Sequence, residues 1–415
     1  MGAADQSKVM PRLRLLVGVH DGGFNGIDAY SEQIVASAVA AGHEVTLAAT
    51  QAAASRLRAR LGPAVHILEL DLSPPGRVAG LAARVWPRLD RRRLGRALTA
   101  ALLRSGQTFD VIHLNRPGLA PVMRRFTRRL VSAAWFYPHA PVHRALETWR
   151  HTEGGQLLRR MAITLKSFSH YLGDVEGFRA SDCVVAPTPS LSNQLRAQGI
   201  QAVVCPPPVE VQRPHVPPEQ ESRAANLKRL VICSGDLSHP RKNLLRALEA
   251  LPYLARRGWR LRLDVIGRNP ERLQALVRTL PVGIDVNFTG SLPAEQVQAH
   301  MRSADVFLFP SLYEEWGYAA VEALLCGTPV VTFPVYPFHS MLAGGLGEIA
   351  EDLSARGLAD AVERAFRLTD RSGLATAAAA RFGSTVVARR LTEIWTLPLG
   401  FHPKAVTAGV EELGT

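Results

Sequence analysis

A chain of 415 residues, 47% of them hydrophobic and 20% charged, is long enough for two domains with separate cores, and no apolar run in it approaches the roughly 18 residues that span a bilayer. Its net charge of +13 is unevenly placed: residues 1–200 carry 26 Lys/Arg against 14 Asp/Glu, residues 201–415 carry 23 against 22. An arginine-favouring genome would load both halves equally, so the first half is expected to face something anionic.

The opening "MGAADQSKVMPRLRLLVGVH" has no long apolar core ahead of a small-residue cleavage site, so no secretory signal is expected. Strand-like apolar runs then follow at 13–20, 44–50, 65–70, 110–115, 132–139 and 183–188, with amphipathic helices in the gaps, such as Ala29 to Ala41 ended by Gly42. The segment "CPPPVEVQRPHVPPEQESRA" (205–224) has six prolines and no apolar period, which excludes a helix or a central strand and marks a domain boundary. The alternation restarts at 229–235, 261–267, 285–290, 305–311 and 329–335. Strands alternating with helices predict an α/β protein of two Rossmann-like, doubly wound parallel-sheet domains facing across a cleft. The expected boundaries are an acceptor-binding domain over 1–208, a linker over 209–228, a nucleotide-binding domain over 229–383, and a helix crossing back with a tail over 384–415. Cys183, Cys205, Cys233 and Cys326 are scattered through apolar runs. No CxxC or Cys/His cluster forms, so neither structural zinc nor a disulfide framework is expected, and the setting is cytoplasmic by default.

In doubly wound sheets, ligands bind beyond the carboxyl ends of the strands. The loop "HDGGFNGIDAYSEQ" leaves the first strand with three glycines and opens a helix, which suits close approach of backbone amides to a phosphate, or simply a structural turn. It is not a clean GxGxxG, and Glu44 stands at the start of the second strand rather than after it, so NAD is not expected. In "SGDLSHPRKNLLRALEAL", Arg241 and Lys242 fall at a helix mouth, where the helix dipole disfavours cations; a phosphate partner would resolve the conflict, and a solvated basic turn is the alternative. In "LYEEWGYAAVEALLCG", Glu314 lies in a glycine-interrupted loop and Glu322 inside an apolar helix, where a carboxylate without donors is costly. Carboxylates accept well from paired hydroxyls, so the four residues together describe a nucleotide-sugar site. His139 ends the run 132–139 at the same kind of edge, with His143 and His151 as nearby alternatives.

The segment "DVFLFPSLYEEWGYAAVEALLCGTPVV" resembles the Glu-x7-Glu signature of the retaining glycosyltransferases of family 4, which have the GT-B fold. "NGIDAYSEQIVASAVAAGHEV" is similar to that family's opening loop and helix, and "GDLSHPRKN" to its phosphate-binding segment; the likeness runs over about residues 12–396. The resemblance implies that Glu322 holds the ribose, that Glu314 contacts donor-sugar hydroxyls, and that Arg241 and Lys242 bind the diphosphate. It further implies that the amides around Trp316, Gly317 and Tyr318 cradle the sugar, that Gly26 approaches the phosphate, that Gly267 and Gly290 lie near the base, and that His139 sits near the reacting centre. Departures are Asn25 and Asp236, where glycine and arginine are frequent in the family, and the absence of a Gly-Gly turn after "GTPVVTFPV".

The implied reaction moves a hexose from a UDP- or GDP-sugar to an acceptor hydroxyl, with retention and without a metal or other cofactor. Segments such as "RVWPRLDRRRLGRALTAALLRSG" and "MRRFTRRLV" mix arginine with apolar residues as interfacial helices do, so a lipid-linked acceptor at an anionic cytoplasmic membrane face is the leading expectation. A soluble small molecule or cyclitol is the alternative acceptor, and a non-catalytic nucleotide-sugar-binding protein the alternative class. Aromatic residues are not interleaved with the basic ones, which argues against nucleic acid.

Overall fold

The computed structural model describes residues 11–20, 26–72, 87–134, 161, 171–211, 226–314 and 316–397. The chain divides into two compact units, Met1–Pro208 joined by Val387–Ala408, and a second built on Val209–Val386.

In the first unit the strands are β1 (Arg14–His20), β2 (Glu44–Thr50), β3 (Val65–Leu70), β4 (Phe109–Leu114), β5 (Thr127–Ala133), β6 (Cys183–Ala186) and β7 (Ala202–Val204). They form one parallel sheet in the order β3-β2-β1-β4-β5-β6-β7. Helix α1 (Gly26–Ala40) follows β1, α2 (Gln51–Leu61) follows β2, α3 (Pro87–Ser105) precedes β4, and α4 (Pro189–Ala197) joins β6 to β7. The helix ends follow local chemistry. Gly42 takes φ +83° after α1, where a side chain would be strained, and the Thr188 hydroxyl accepts from the Leu191 amide at the start of α4, with Pro189 in its first turn. On one face of the sheet Leu16, Ile112, Leu114 and Leu130 pack with Leu94, Leu98 and Leu102 of α3.

The strand expected over 132–139 begins earlier. Its ladder to β4 runs from Phe109↔Thr127 to Leu114↔Ser132, so the polar Thr-Arg-Arg start is part of the strand although the apolar run begins only at Leu130. Residues 135–139 lie outside the described residues, as do 212–225 of the expected linker.

The last helix, Ser384–Thr396, contributes Val387–Thr396 to this unit through a buried polar relay. The Trp395 indole donates to His113 Nδ1 at 3.1 Å, which leaves Nε2 to carry the proton and donate to the Tyr30 hydroxyl at 2.7 Å. Burial drives the His113 pKa down to about 3, consistent with a neutral ring. Arg129 donates to the carbonyls of Ile394 and Leu397, capping the helix's orphan carboxyl end with a cation.

The second unit repeats the architecture. Its strands are β8 (Leu227–Asp236), β9 (Arg260–Arg268), β10 (Ile284–Gly290), β11 (Val306–Phe309), β12 (Val330–Thr332) and β13 (Gly347–Ile349), all parallel in the order β10-β9-β8-β11-β12-β13. The helices are α5 (Leu244–Arg256), α6 (Glu271–Val277), α7 (Ala294–Ser303), α8 (Tyr318–Leu325), α9 (Phe338–Met341), α10 (Ala355–Ala365) and α11 (Arg371–Phe382). They cover both faces. Leu251 and Leu358, from α5 and α10, enter one core; Met301, Ala320 and Phe382, from α7, α8 and α11, enter the other. The three-residue strands β7 and β13 were not expected, because a run that short has no measurable period.

Candidate functional site

Both sheets have the same strand order relative to their first strand: the chain winds outward one way, returns, and winds out the other way. That reversal leaves a crevice beyond the carboxyl ends of β1 and β4 in the first unit and of β8 and β11 in the second. Arg241 and Lys242 follow β8, and Glu314 follows β11, so the topology brings to one crevice residues more than 70 positions apart.

There the three side chains meet. Arg241 Nη1 lies 3.0 Å from Glu314 Oε2, and Lys242 Nζ 2.6 Å from Glu314 Oε1. The cations occupy a single turn, Pro240–Lys242, that ends at Asn243 in the left-handed conformation (φ 51°) immediately before α5. Two further bonds bind this turn to the Glu314 loop: the Leu312 amide donates to the Arg241 carbonyl at 2.9 Å, and Arg241 Nη1 donates to the Tyr313 carbonyl at 2.9 Å. The Lys242 ammonium also stands 5.0 Å from the centroid of Phe309 at the end of β11. Glu314 is only 6% exposed, so its charge is desolvated and both cations bear on it at close range. The conflict of cations at a helix mouth is met here by an acid from the neighbouring loop.

Glu322 is on α8, and no described residue donates a hydrogen bond to its carboxylate. Burial raises its pKa to about 7. Near it are Tyr318, one turn earlier, whose hydroxyl is buried without a partner, and Cys233 near the end of β8. Burial first and the Glu322 charge second push the Cys233 thiol up to about 12. The Glu322 carboxylate thus lies close enough to the Tyr318 phenol and the Cys233 thiol to raise the pKa of both, and the phenol has hydrogen-bonding capacity unspent.

The turn into α8 is shaped by glycine. Gly317 has φ +93°, and a methyl there would lie 3.3 Å from the Phe338 ring. Trp316 turns its indole into the core, 4% exposed and edge-on to Phe382 at 5.6 Å, so it offers the crevice backbone rather than side chain. Gly267 is the last residue but one of β9, where a Cβ would fall 2.0 Å from the Ser234 carbonyl of β8, while Gly290 ends β10, two strands from β8. Asp236, at an arginine-favouring position of the resembled family, secures the turn after β8: hydrogen bonds from Ser238 and Asn269 hold its carboxyl below the usual range.

In the first unit Gly26 opens α1, and His20 ends β1. The His20 ring lies 2.8 Å from Glu32 and 3.8 Å from Asp28, two acids one turn apart on α1. This cluster was not expected, although the i, i+4 spacing of the acids could have shown it. His139, His143 and His151 lie outside the described residues.

The fold is GT-B. A solved structure with this architecture is sucrose-phosphate synthase from Thermosynechococcus elongatus, 17% identical, with a TM-score of 0.66 over 93% of this chain and 98% of that one. The profile "Glycosyltransferase Family 4" matches residues 24–213 and "Glycosyl transferases group 1" matches 218–380; the chain belongs to the family 4 glycosyltransferases. Among its relatives are a 2-deoxystreptamine glucosyltransferase of Streptomyces kanamyceticus, 37% identical over 103 residues (24% of this chain, 26% of that one), and a phosphatidyl-myo-inositol mannosyltransferase of Mycobacterium leprae strain TN, 30% identical over 210 residues (49% and 55%). The matches therefore span between about a quarter and just over half of these relatives' length.

Proposed function

We propose that the protein transfers a hexose from a UDP- or GDP-sugar to an acceptor hydroxyl with retention of configuration. The observation that carries the proposal is the Arg241–Glu314–Lys242 cluster at the crevice of the second unit: two cations placed for a diphosphate, beside acids suited to alcohols. Arg241 and Lys242 hold the diphosphate and stabilise the charge that develops as it departs, without a metal. Glu314 accepts from sugar hydroxyls and Glu322 from the ribose diol. The bond from the anomeric carbon to the phosphate oxygen breaks as the acceptor oxygen bonds to that carbon on the same face. The departing phosphate oxygen takes the acceptor's proton, and the nucleoside diphosphate leaves.

A thermal-shift panel of UDP, GDP, ADP and NAD tests the donor. A nucleotide at about 100 times its Kd adds roughly 2.7 kcal/mol of apparent stability. A response to UDP or GDP supports the proposal, and a response to NAD alone defeats it.

For the acceptor, both relatives are named for cyclitol rings, 2-deoxystreptamine and myo-inositol, which favours a cyclitol hydroxyl. We place it on a lipid at the cytoplasmic membrane face, because residues 87–134 hold 11 arginines against two aspartates and expose Leu103 and Val122. No helix among the described residues is long and apolar enough to cross a membrane, so attachment would be peripheral. Salt-sensitive flotation with anionic liposomes is the expected result. Its absence would favour a soluble cyclitol, as the Streptomyces relative's name suggests.

A further inference from the structure

One side chain ties together the aromatic support beneath the turn that opens α8. Arg381, in the last turn of α11, donates from Nη1 to the Ala343 carbonyl at 2.8 Å and from Nη2 to the Ser340 carbonyl at 2.6 Å. Its guanidinium lies 5.0 Å from the centroid of Phe382. No carboxylate among the described residues pairs with it, and burial holds its pKa below the ordinary value. The planar fork holds two carbonyls in one fixed geometry; an apolar side chain can bond neither, and an ammonium lacks the rigid fork.

What the fork holds in place bears directly on the crevice. The two carbonyls belong to α9 and the turn after it, and Phe338, the first residue of α9, stacks edge-on against Phe309 at 5.4 Å and closes the space at Gly317. Phe382, under the guanidinium, is the edge-on partner of Trp316. The supports of Trp316 and of Gly317 are thus joined through Arg381, two and three residues beyond Glu314. Arg381 makes no bond to the turn after β8 that carries Arg241 and Lys242; that turn is tied instead to residues 312–314 and Phe309, ahead of Trp316.

We infer that Arg381 is a positioning residue for donor-sugar recognition: through Phe338 and Phe382 it fixes the Trp316–Tyr318 amides against which the hexose lies, while leaving the nucleoside diphosphate subsite alone. The inference rests on the glycosyl-transfer proposal above.

The test uses Arg381→Met and Arg381→Lys in the full chain. Kd for UDP and GDP is measured by calorimetry, and kcat and KM by nucleoside diphosphate release from UDP-glucose and GDP-mannose. Both variants are expected to keep the wild-type Kd for the bare nucleotide while kcat/KM falls about 10- to 100-fold, the range set by misplacing a bound group by an ångström or less. The ratio between the two sugar donors should change as well. Unaltered kcat/KM and donor ratio would overturn the inference, and so would a nucleotide Kd that weakens in step with kcat/KM. Should Arg381→Met fail to fold, Phe382→Leu, which removes the ring edge-on to Trp316, must give the same split between Kd and kcat/KM or the inference fails. A wild-type protein that binds neither UDP nor GDP would instead sink the transfer proposal, and the inference with it.

Discussion

Replacing Glu322 by glutamine should make the protein more stable at alkaline pH and indistinguishable from wild type in acid. Burial raises the carboxyl pKa from 4.5 to about 7, so the folded state favours the protonated form. The sign follows: below pH 4.5 the group is neutral in both states and costs nothing. As pH rises towards 7 the unfolded chain ionises first, stability falls, and above 7 the loss is constant. At 1.36 kcal/mol per pH unit the full loss is on the order of 3 kcal/mol, or several degrees in the melting temperature of the second unit. Glu322→Gln has the same shape and no charge, so its melting temperature should match wild type at pH 4 and exceed it at pH 8.5. Hydroxyl donors favour the ionised carboxylate, so binding of UDP or GDP should lower this pKa and release up to one proton near pH 7. Calorimetry in two buffers of different ionisation enthalpy measures that proton, which should vanish at pH 8.5 and in Glu322→Gln. A stability gap that ignores pH, together with binding that releases no proton, would refute the burial argument.

Three packing predictions accompany it. Gly18→Ala should cost about 1–3 kcal/mol in the first unit, because its Cβ would fall 2.3 Å from Asn115 Oδ1, the atom that accepts from the Val19 amide; denaturant unfolding measures it. Gly317→Ala should cost about 1–3 kcal/mol in the second unit through its positive φ, and should lower donor-sugar turnover as Phe338 is displaced; a melting curve and nucleoside diphosphate release check the two effects. Trp395→Phe removes the donor to His113 Nδ1 and should destabilise the first unit by about 1–3 kcal/mol, again read from the denaturant midpoint.

Much of the fold was legible because doubly wound sheets bury their strands on both faces, and runs such as "LRLLVGVH" and "LRLDVIG" announce themselves by apolarity alone. The crevice residues were legible for a related reason. Cations after one strand and an acid after another have no local partner, and the strand order brings those two strand ends together. What the sequence concealed was long-range. That Glu314 would be clasped by both cations depends on a register between segments some 70 residues apart. The support of Gly317 by Phe338, and of Phe338's turn by Arg381, joins three separate helical elements with no shared period. The start of β5 was hidden because Thr127–Arg129 look like surface, yet they complete the ladder to β4.

The clasp on Glu314 reverses the simplest electrostatic expectation for the proposed diphosphate site. Removing a negative charge beside the two cations proposed to bind phosphate should, by Coulomb's law alone, strengthen phosphate binding. The geometry argues the opposite. Arg241 spends one nitrogen, Nη1, on both Glu314 and the Tyr313 carbonyl, and its other two guanidinium nitrogens engage no described residue; Lys242 spends one of three donors on Glu314. The remaining donors are held in place by the carboxylate rather than consumed by it, so Glu314 preorganises the cations it partly neutralises, and side-chain freedom is already lost before the nucleotide arrives. Glu314→Gln keeps the shape but weakens both ion pairs. Calorimetry should therefore show weaker UDP or GDP binding together with lost sugar transfer, whereas tighter nucleotide binding would mean that the carboxylate competes with phosphate instead of aiming its partners.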